Sequence, residues 1–349
     1  MEFGKYKVCV LCLTYNQSAY IIDTLNGFCM QETTFPFVCT IIDDASTDGE
    51  QEVIKKYLQQ NFDLNDETIV RNEETDDYVL TFARNKTNMN CFFAVLYLKY
   101  NHYRIAKDKF PYILEWLDNV KYNATCEGDD YWIDPHKLQK QVDFLENHPD
   151  YVLCCHETRR YYQDTGEMSY QKHQILNKYP NGYSFECSYD PWLTQTLTNV
   201  YRANFKGKDI YLSMKRRYDV IFAYFIRKSG LCFLMPDVMS VYRIHRGGIC
   251  SGTPFVIFYR NILDAFIELN QKDDSSEAKE VLLRHVNVNI GDLLLLHEWK
   301  MIIQSIKDVK EFVSFGEFVR FLFTLPIYGF HKILKITLCI VKNKVKKGQ

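Results

Sequence analysis

The chain has 349 residues, 47% of them hydrophobic, and 42 Lys+Arg stand against 44 Asp+Glu for a net charge of -2. Such a balance belongs to an ordinary globular protein and excludes a disordered or low-complexity architecture, while the near-neutral charge excludes a bulk positive field for a nucleic-acid partner. Twelve cysteines would mark a disulfide scaffold in a short secreted chain, but Met1 to Lys7 runs straight into an apolar stretch over 8–13 with no small-residue cleavage site, so a cytoplasmic location and reduced cysteines are expected.

In chain order, residues 7–14 read as a buried strand and 19–31 as a helix carrying Ile22, Leu25 and Cys29 at helical spacing. Cys9 and Cys12 form a lone CxxC. Within a strand, residues three apart face opposite sides, so they are expected to be core thiols rather than a metal or redox pair. A second strand over 37–42 ends in Asp43-Asp44-Ala45-Ser46-Thr47-Asp48-Gly49, where Thr47 and Glu50 form a capping-box pattern for the next helix. A third strand is expected at 68–71, a helix over 82–103 and another short one over 110–117. A strand then leads from 121 to 126 into Glu127-Gly128-Asp129-Asp130, followed by a helix with Asp134 as its N-cap and Pro135 at its first position. Further expectations are a strand at 151–156, a hairpin turn at Asp164-Thr165-Gly166, a helix over 219–229 stopped by Gly230, and a strand over 238–244.

This rhythm argues for an α/β domain over 1–254 with a mainly parallel sheet flanked by helices, whose ligands bind at the carboxyl ends of the strands. From 255 to 349 the pattern turns helical (255–271 and 276–305), with an apolar segment from Phe312. The last 18 residues hold six lysines and no acidic residue. Pro326, Lys332 and Lys335 interrupt the apolar run, so an amphipathic, basic tail touching an anionic membrane surface is expected rather than a span.

Chemistry concentrates in three strand-end loops. Glu127, Asp129 and Asp130 place three carboxylates within four residues, a hard oxygen set suited to Mg²⁺ or Mn²⁺ with positions open for phosphate. Asp43-Asp44 follows the second strand and Thr14-Tyr15-Asn16-Gln17 the first, offering carboxylates for imide or ribose groups and a ring face for stacking.

Val8-Cys-Val-Leu-Cys-Leu-Thr-Tyr-Asn16, Ile41-Ile-Asp-Asp-Ala-Ser-Thr-Asp-Gly49 and Glu127-Gly-Asp-Asp-Tyr-Trp132 resemble the successive signatures of family 2 glycosyltransferases, which have the GT-A fold. Val241-Tyr-Arg-Ile-His-Arg-Gly-Gly248 is similar to the segment that closes the active site in many bacterial members. The resemblance implies a nucleotide-diphosphosugar donor, UDP-linked by first expectation, a divalent metal and inversion at the anomeric carbon. It also implies a glycan or lipid-linked glycan acceptor at the inner face of the cytoplasmic membrane, in surface-polysaccharide synthesis. Residue by residue, Thr14, Tyr15, Asn16, Asp43 and Asp44 match the nucleoside-binding loops, and Glu127, Asp129 and Asp130 match the metal-binding DXD region. His245 matches a position that approaches the metal or diphosphate, and Arg243, His245 and Arg246 together are expected to add positive charge over the diphosphate. Asp219 matches the catalytic base, with Asp190 and Asp237 as rivals. A sugar-nucleotidyltransferase would want a Gly-rich basic loop after the first strand, which Thr14-Tyr-Asn-Gln-Ser18 does not supply. A non-catalytic glycan-binding protein would not need carboxylates at 129, 130 and 219.

Overall fold

The computed structural model describes residues 5–187, 195–248 and 253–324. They fall into two compact units, Met1–Lys208 with Phe222–Ser251, and Asp209–Ile221 with Gly252–Gln349.

The first unit is built on one sheet. Its strands are β1 (Val8–Thr14), β2 (Phe37–Asp43), β3 (Phe62–Asp63), β4 (Arg71–Glu74), β5 (Tyr78–Asn85), β6 (Cys91–Leu98) and β7 (Tyr122–Thr125). They continue with β8 (Tyr131–Trp132), β9 (Tyr151–Tyr162), β10 (Glu167–Ser169), β11 (Tyr183–Glu186), β12 (Val200–Arg202) and β13 (Leu231–Ile244). The order is β11-β13-β9-β12-β7-β1-β2-β6-β5-β3. The neighbours β6, β2, β1 and β7 are mutually parallel, in a register that sets Thr14 level with Asp43 and Asp43 level with Tyr97. Antiparallel pairings extend this core on both sides, through β5 beside β6 and β12 beside β7.

Both faces of the parallel core are covered, which is why its strands read as continuous apolar runs. Val8, Val10 and Cys12 of β1 pack on one face with helices α1 (Ile21–Cys29), α2 (Glu50–Asn61) and α3 (Lys137–Asn147), through Ile21, Leu25, Ile54, Leu58, Leu138 and Val142. Cys9 and Leu11 pack on the other face with Val38, Ile113, Trp116 and Leu117. The two thiols of the CxxC are therefore fully buried on opposite faces, and burial pushes that of Cys9 up to about 12.

The helix expected over 82–103 is instead the β5–β6 hairpin. Every residue of β6 is buried, so the segment lacks the alternation that separates a strand from a helix. The turn is held by Asn85, whose Oδ1 accepts the amides of Thr87 (3.0 Å) and Asn88 (2.8 Å). The strand expected at 68–71 starts at Arg71 as β4 and pairs antiparallel with β5, so β6 takes the third place in the parallel core. The strands expected at 151–156 and 238–244 are the long parallel partners β9 and β13. The β9–β10 turn falls at 163–166 with Gly166 at a φ of 71°, and a helix spans Asp219–Ser229 as expected.

The second unit contains helices Phe255–Lys272, Ser276–Leu295 and Trp299–Lys310 and a helical stretch over 315–324. The single helix expected over 276–305 breaks at His297, whose φ is 58°. Glu268 accepts the amides of Lys215 (2.7 Å) and Arg216 (3.2 Å), tying the 209–221 segment to this unit. Among the described residues no helix is long and apolar enough to cross a membrane. The lysine-rich end and Asp190 lie outside the described residues.

Lys137 begins α3 and is fully buried, with Nζ 2.9 Å from Gln141 Oε1 and 4.1 Å from the Trp132 ring centroid. Burial lowers its pKa from the ordinary 10.5 to about 7. Between those values the unfolded chain binds a proton that the folded chain refuses, so this residue penalises folding more as pH falls from 10.5 to 7, and equally at every lower pH. Lys137→Met should therefore be more stable than the unaltered protein at pH 7, and urea unfolding should show the difference shrinking as pH rises to 10. A difference that does not change over that range would refute the depressed value.

Candidate functional site

The carboxyl ends of β1, β2 and β7 carry the three acidic or polar loops, and hydrogen bonds lock them together. The ladder runs on past the strands: the amide of Asp44 donates to Thr14 O (3.0 Å), and that of Gly128 to Leu13 O (3.1 Å). Between the first two loops lies Glu50, fully buried at the start of α2. It accepts from the Thr14 hydroxyl, the Gln17 amide (2.8 Å) and the Ser46 hydroxyl (2.8 Å). Burial raises its pKa against those donors. The capping-box expectation is thus corrected: Gly49, at a φ of 91°, occupies the N-cap and Glu50 turns inward. Asn16, itself at a φ of 54°, closes the loop pair by donating its amide to Ser46 Oγ (2.8 Å) and accepting that of Thr47 (2.7 Å). Tyr15 remains half-buried beside them.

Asp43 is fully buried. Its Oδ1 accepts from the Ser46 amide (3.1 Å) and Gln51 Nε2 (2.6 Å), while Oδ2 has no partner among the described residues, and burial raises its pKa. Asp44 is also buried, with its carboxylate turned to the segment that follows β6: it accepts the amides of His102 (2.7 Å) and Tyr103 (3.1 Å) and pairs with Lys109 (2.7 Å).

The Glu127–Asp130 loop is pressed against the β1 loop. A Cβ at Gly128 would lie 2.2 Å from Thr14 Oγ1 and 2.5 Å from Gln17 Oε1, so only glycine permits this approach. From α1, the Thr24 hydroxyl reaches the carbonyls of Gly128 (2.9 Å) and Asp130 (2.6 Å). Asp130 is buried and accepts the Arg243 amide (2.8 Å). Burial, then the charges of Asp129 and Glu127, raise its pKa well above the carboxylate range. Asp129 lies nearer solvent and meets His245, Oδ2 to Nε2 at 3.0 Å, with the imidazole leaning on Tyr20 at 4.8 Å between ring centroids.

Arg243, expected from the sequence to add charge over the diphosphate, spends its guanidinium on protein acceptors. Nε donates to Asp129 O (2.8 Å), Nη1 to Gln163 Oε1 (2.7 Å) and Nη2 to Asp23 Oδ2 (2.6 Å), among the rings of Tyr20, Tyr131 and Tyr161. It binds β13 to the acidic loop and to α1. Arg246 is exposed and donates to Asp164 (2.9 Å). Asp219 is exposed in the first turn of its helix and belongs to the second unit. Asp237 pairs with Lys140 (2.8 Å) on α3.

Among the described residues no three His, Cys, Asp or Glu side chains form a ready cluster for a metal ion. The donor chemistry nevertheless fits a hard divalent cation of the kind that takes one or two carboxylates and completes its shell with phosphate oxygens. Asp129 and His245 already stand at hydrogen-bond distance, and the Glu127–Asp130 loop carries negative charge that raises the pKa of Asp130.

Residues 9–91 match the model of Glycosyl transferase family 2. The chain carries a family 2 glycosyl transferase domain. The uncharacterized proteins Rv1520 of Mycobacterium tuberculosis and Mb1547 of Mycobacterium bovis are each 30% identical to it over 253 residues, 69% of this chain and 59% of theirs. The chain thus spans about three-fifths of the length of these curated relatives. Among solved structures, S. aureus TarS 1-349 in complex with UDP-GlcNAc aligns with a TM-score of 0.55 at 17% identity, covering 88% of this chain and 82% of that one. The UDP complex of TarS aligns at 0.53 and 16% identity over 98% and 92% of the two chains. The first unit has the GT-A fold.

Sequence reasoning gave Glu50 a capping role and passed over Thr24 and Tyr20. Thr24 and Tyr20 carry no local signal, because their partners lie 106 residues away for Thr24 and on β13 for Tyr20. Gly128→Ala should cost about 2 kcal/mol through overpacking, and Glu50→Ala on the order of 3 kcal/mol through buried donors left without an acceptor; urea denaturation measures both. Wild-type stability in either variant would refute the locked-loop arrangement.

Proposed function

We propose that the protein is an inverting glycosyltransferase that moves a sugar from a nucleotide-diphosphosugar, UDP-linked by first expectation, to an acceptor hydroxyl of a glycan or lipid-linked glycan. The observation that carries this reading is the locking of three polar loops at the carboxyl edge of β1, β2 and β7, where Thr14 to Asn16, Asp43 and Glu127 to Asp130 share one rim. Parallel α/β sheets take nucleotides at that edge. The similarly folded TarS holds UDP-GlcNAc and UDP, which supports the donor class.

In this reading Thr14 to Asn16 and Asp43 face the nucleoside, and Asp129 with His245 hold a divalent cation, Mg²⁺ or Mn²⁺, beside Glu127. When bound, the cation neutralises charge on the departing nucleoside diphosphate. Arg243 keeps Asp129 in place from behind, through its contact with the Asp129 carbonyl. Arg246 lies close enough to turn toward the diphosphate, since its pairing with Asp164 is solvent-exposed and weak. Asp219 removes the acceptor hydroxyl proton as that oxygen attacks the anomeric carbon; one displacement inverts the centre. Work at the cytoplasmic membrane face, with the lysine-rich end drawn to anionic lipid, follows from the clustering of six lysines in the last 18 residues.

Calorimetric titration of UDP-, GDP- and TDP-sugars with and without Mn²⁺ should give metal-dependent binding to at least one donor. No binding to any of them, with or without metal, would overturn the reading. Asp219→Asn should lower kcat by about 10² to 10⁴ while donor affinity stays unchanged. Full turnover by that variant would move the base to another carboxylate.

A further inference from the structure

The helix Trp299–Lys310 is held to its own unit along one side. Ile302, Ser305 and Val309 are buried there, the Tyr259 hydroxyl donates to Ser305 Oγ (2.9 Å), and Arg260 Nη1 donates to Asp308 (2.6 Å). At about 100° per residue, the apolar sector of this helix does not stop at the buried side. It runs on through Ile306 to Trp299 and Ile303, which are 56% and 54% exposed. At the corner just before them, where the Ser276–Leu295 helix ends, Leu295 and Leu296 are 45% and 51% exposed. Backbone bonds fix that corner, from the Leu296 amide to Asp292 O (3.0 Å) and from the Glu298 amide to Leu293 O (2.9 Å). Four large apolar side chains standing outward between 295 and 303 form a patch, unlike the single exposed apolar residues that any surface carries.

The charge beside this patch has one sign. Viewed down the axis, Lys310 falls between Trp299 and Ile303, and Lys307 and Lys300 border them. All three lysines are exposed, and none pairs with a carboxylate among the described residues. Other cations of the unit are neutralised: Arg260 takes Asp264 and Asp308, and Lys279 takes Asp274. Asp308, the acidic residue within the helix, stands half a turn round from Trp299 and is spent on Arg260, while Glu311 lies past the helix end.

We infer that this helix is a membrane-docking face: Trp299 and Ile303, with Leu295 and Leu296 at the corner, enter the headgroup region of an anionic lipid surface while Lys300, Lys307 and Lys310 meet the lipid phosphates. This rests on the membrane-face reading above, but it moves the contact from the lysine-rich end to a folded helix of the second unit. An apolar sector wider than the protein covers, bordered by lysines and carrying an indole, is the pattern of a helix lying in an interface plane. The lysine stems cover apolar surface while their ammonium groups stay among the phosphates. A second copy of the chain fits this face less well. Two such faces meeting about a two-fold axis would set the same three lysines against each other, whereas anionic lipid neutralises them.

The test is flotation of the full chain with vesicles of phosphatidylcholine alone and of phosphatidylcholine with phosphatidylglycerol. The unaltered protein should float with the anionic vesicles, less so in high salt. Trp299→Ser combined with Ile303→Ser, and separately Lys300→Glu combined with Lys307→Glu, should each weaken that binding about tenfold although residues 325–349 are intact. Both pairs occupy exposed positions, so their urea midpoints should match that of the unaltered protein. Lipids brominated in their acyl chains should quench the tryptophan fluorescence of the unaltered protein more than that of Trp299→Phe, since Trp116 and Trp132 are buried. Undiminished flotation of either double variant, or equal quenching with and without Trp299, would overturn the helix face and return the contact to the lysine-rich end. Loss of self-association in the Trp299 and Ile303 double variant, with flotation unchanged, would make the face a contact between copies of the chain instead. No flotation of the unaltered protein with either vesicle would overturn the membrane-face reading itself and this inference with it.

Discussion

Carboxylates buried at the end of a parallel sheet are the constraint from which the rest of the first unit follows. Asp43, Asp44, Glu50 and Asp130 all sit out of water at the carboxyl edge of β1, β2 and β7. Water no longer solvates them there, so the protein must supply N–H and O–H donors or leave their charge uncompensated. Glu50 takes three such donors from two loops, and Asp44 takes two amides and a lysine. Asp130 accepts the Arg243 amide and feels the Arg243 charge against those of Asp129 and Glu127, and one oxygen of Asp43 has no partner among the described residues. The well-satisfied carboxylates therefore act as rivets between loops.

Close packing makes those rivets possible. Gly128 lets the acidic loop approach the β1 loop within a distance that any side chain would forbid, and Thr24 fastens the same loop to α1 from the other side. Arg243 adds a third tie through a nearly dry guanidinium cupped by three tyrosine rings. The tyrosines in this region thereby acquire a task beyond filling space: they shield a cation that fixes the position of Asp129 and Asp130. Other aromatic rings fill the core, as in the Phe28, Phe93 and Trp132 group beneath α1.

Much of the architecture was legible along the chain because the relevant signals are local. The strand, loop and helix alternation from β1 to α2, the Gly166 turn and the helix over Asp219–Ser229 each follow from periodicity, turn residues or stop signals within a dozen residues. The segment over 82–103 was misread because β6 is buried on both faces, which removes the alternation on which a strand assignment depends. The helix expected over 276–305 overran its end because the break rests on the left-handed backbone of His297, a residue type that gives no such signal by itself.

The sequence by itself determined the α/β class, the burial of Cys9 and Cys12, and the grouping of acidic residues on loops after β1, β2 and β7. Each of these is a consequence of residue type and near-neighbour spacing. Only the tertiary structure decided how the acidic residues are used: Glu50 as an internal rivet instead of a cap, Asp44 as the anchor of the segment after β6, and Arg243 as a buried brace. Those roles depend on partners 33, 58 and 114 residues away, brought close by sheet register and by one glycine contact, and short-range patterns carry no record of such distances.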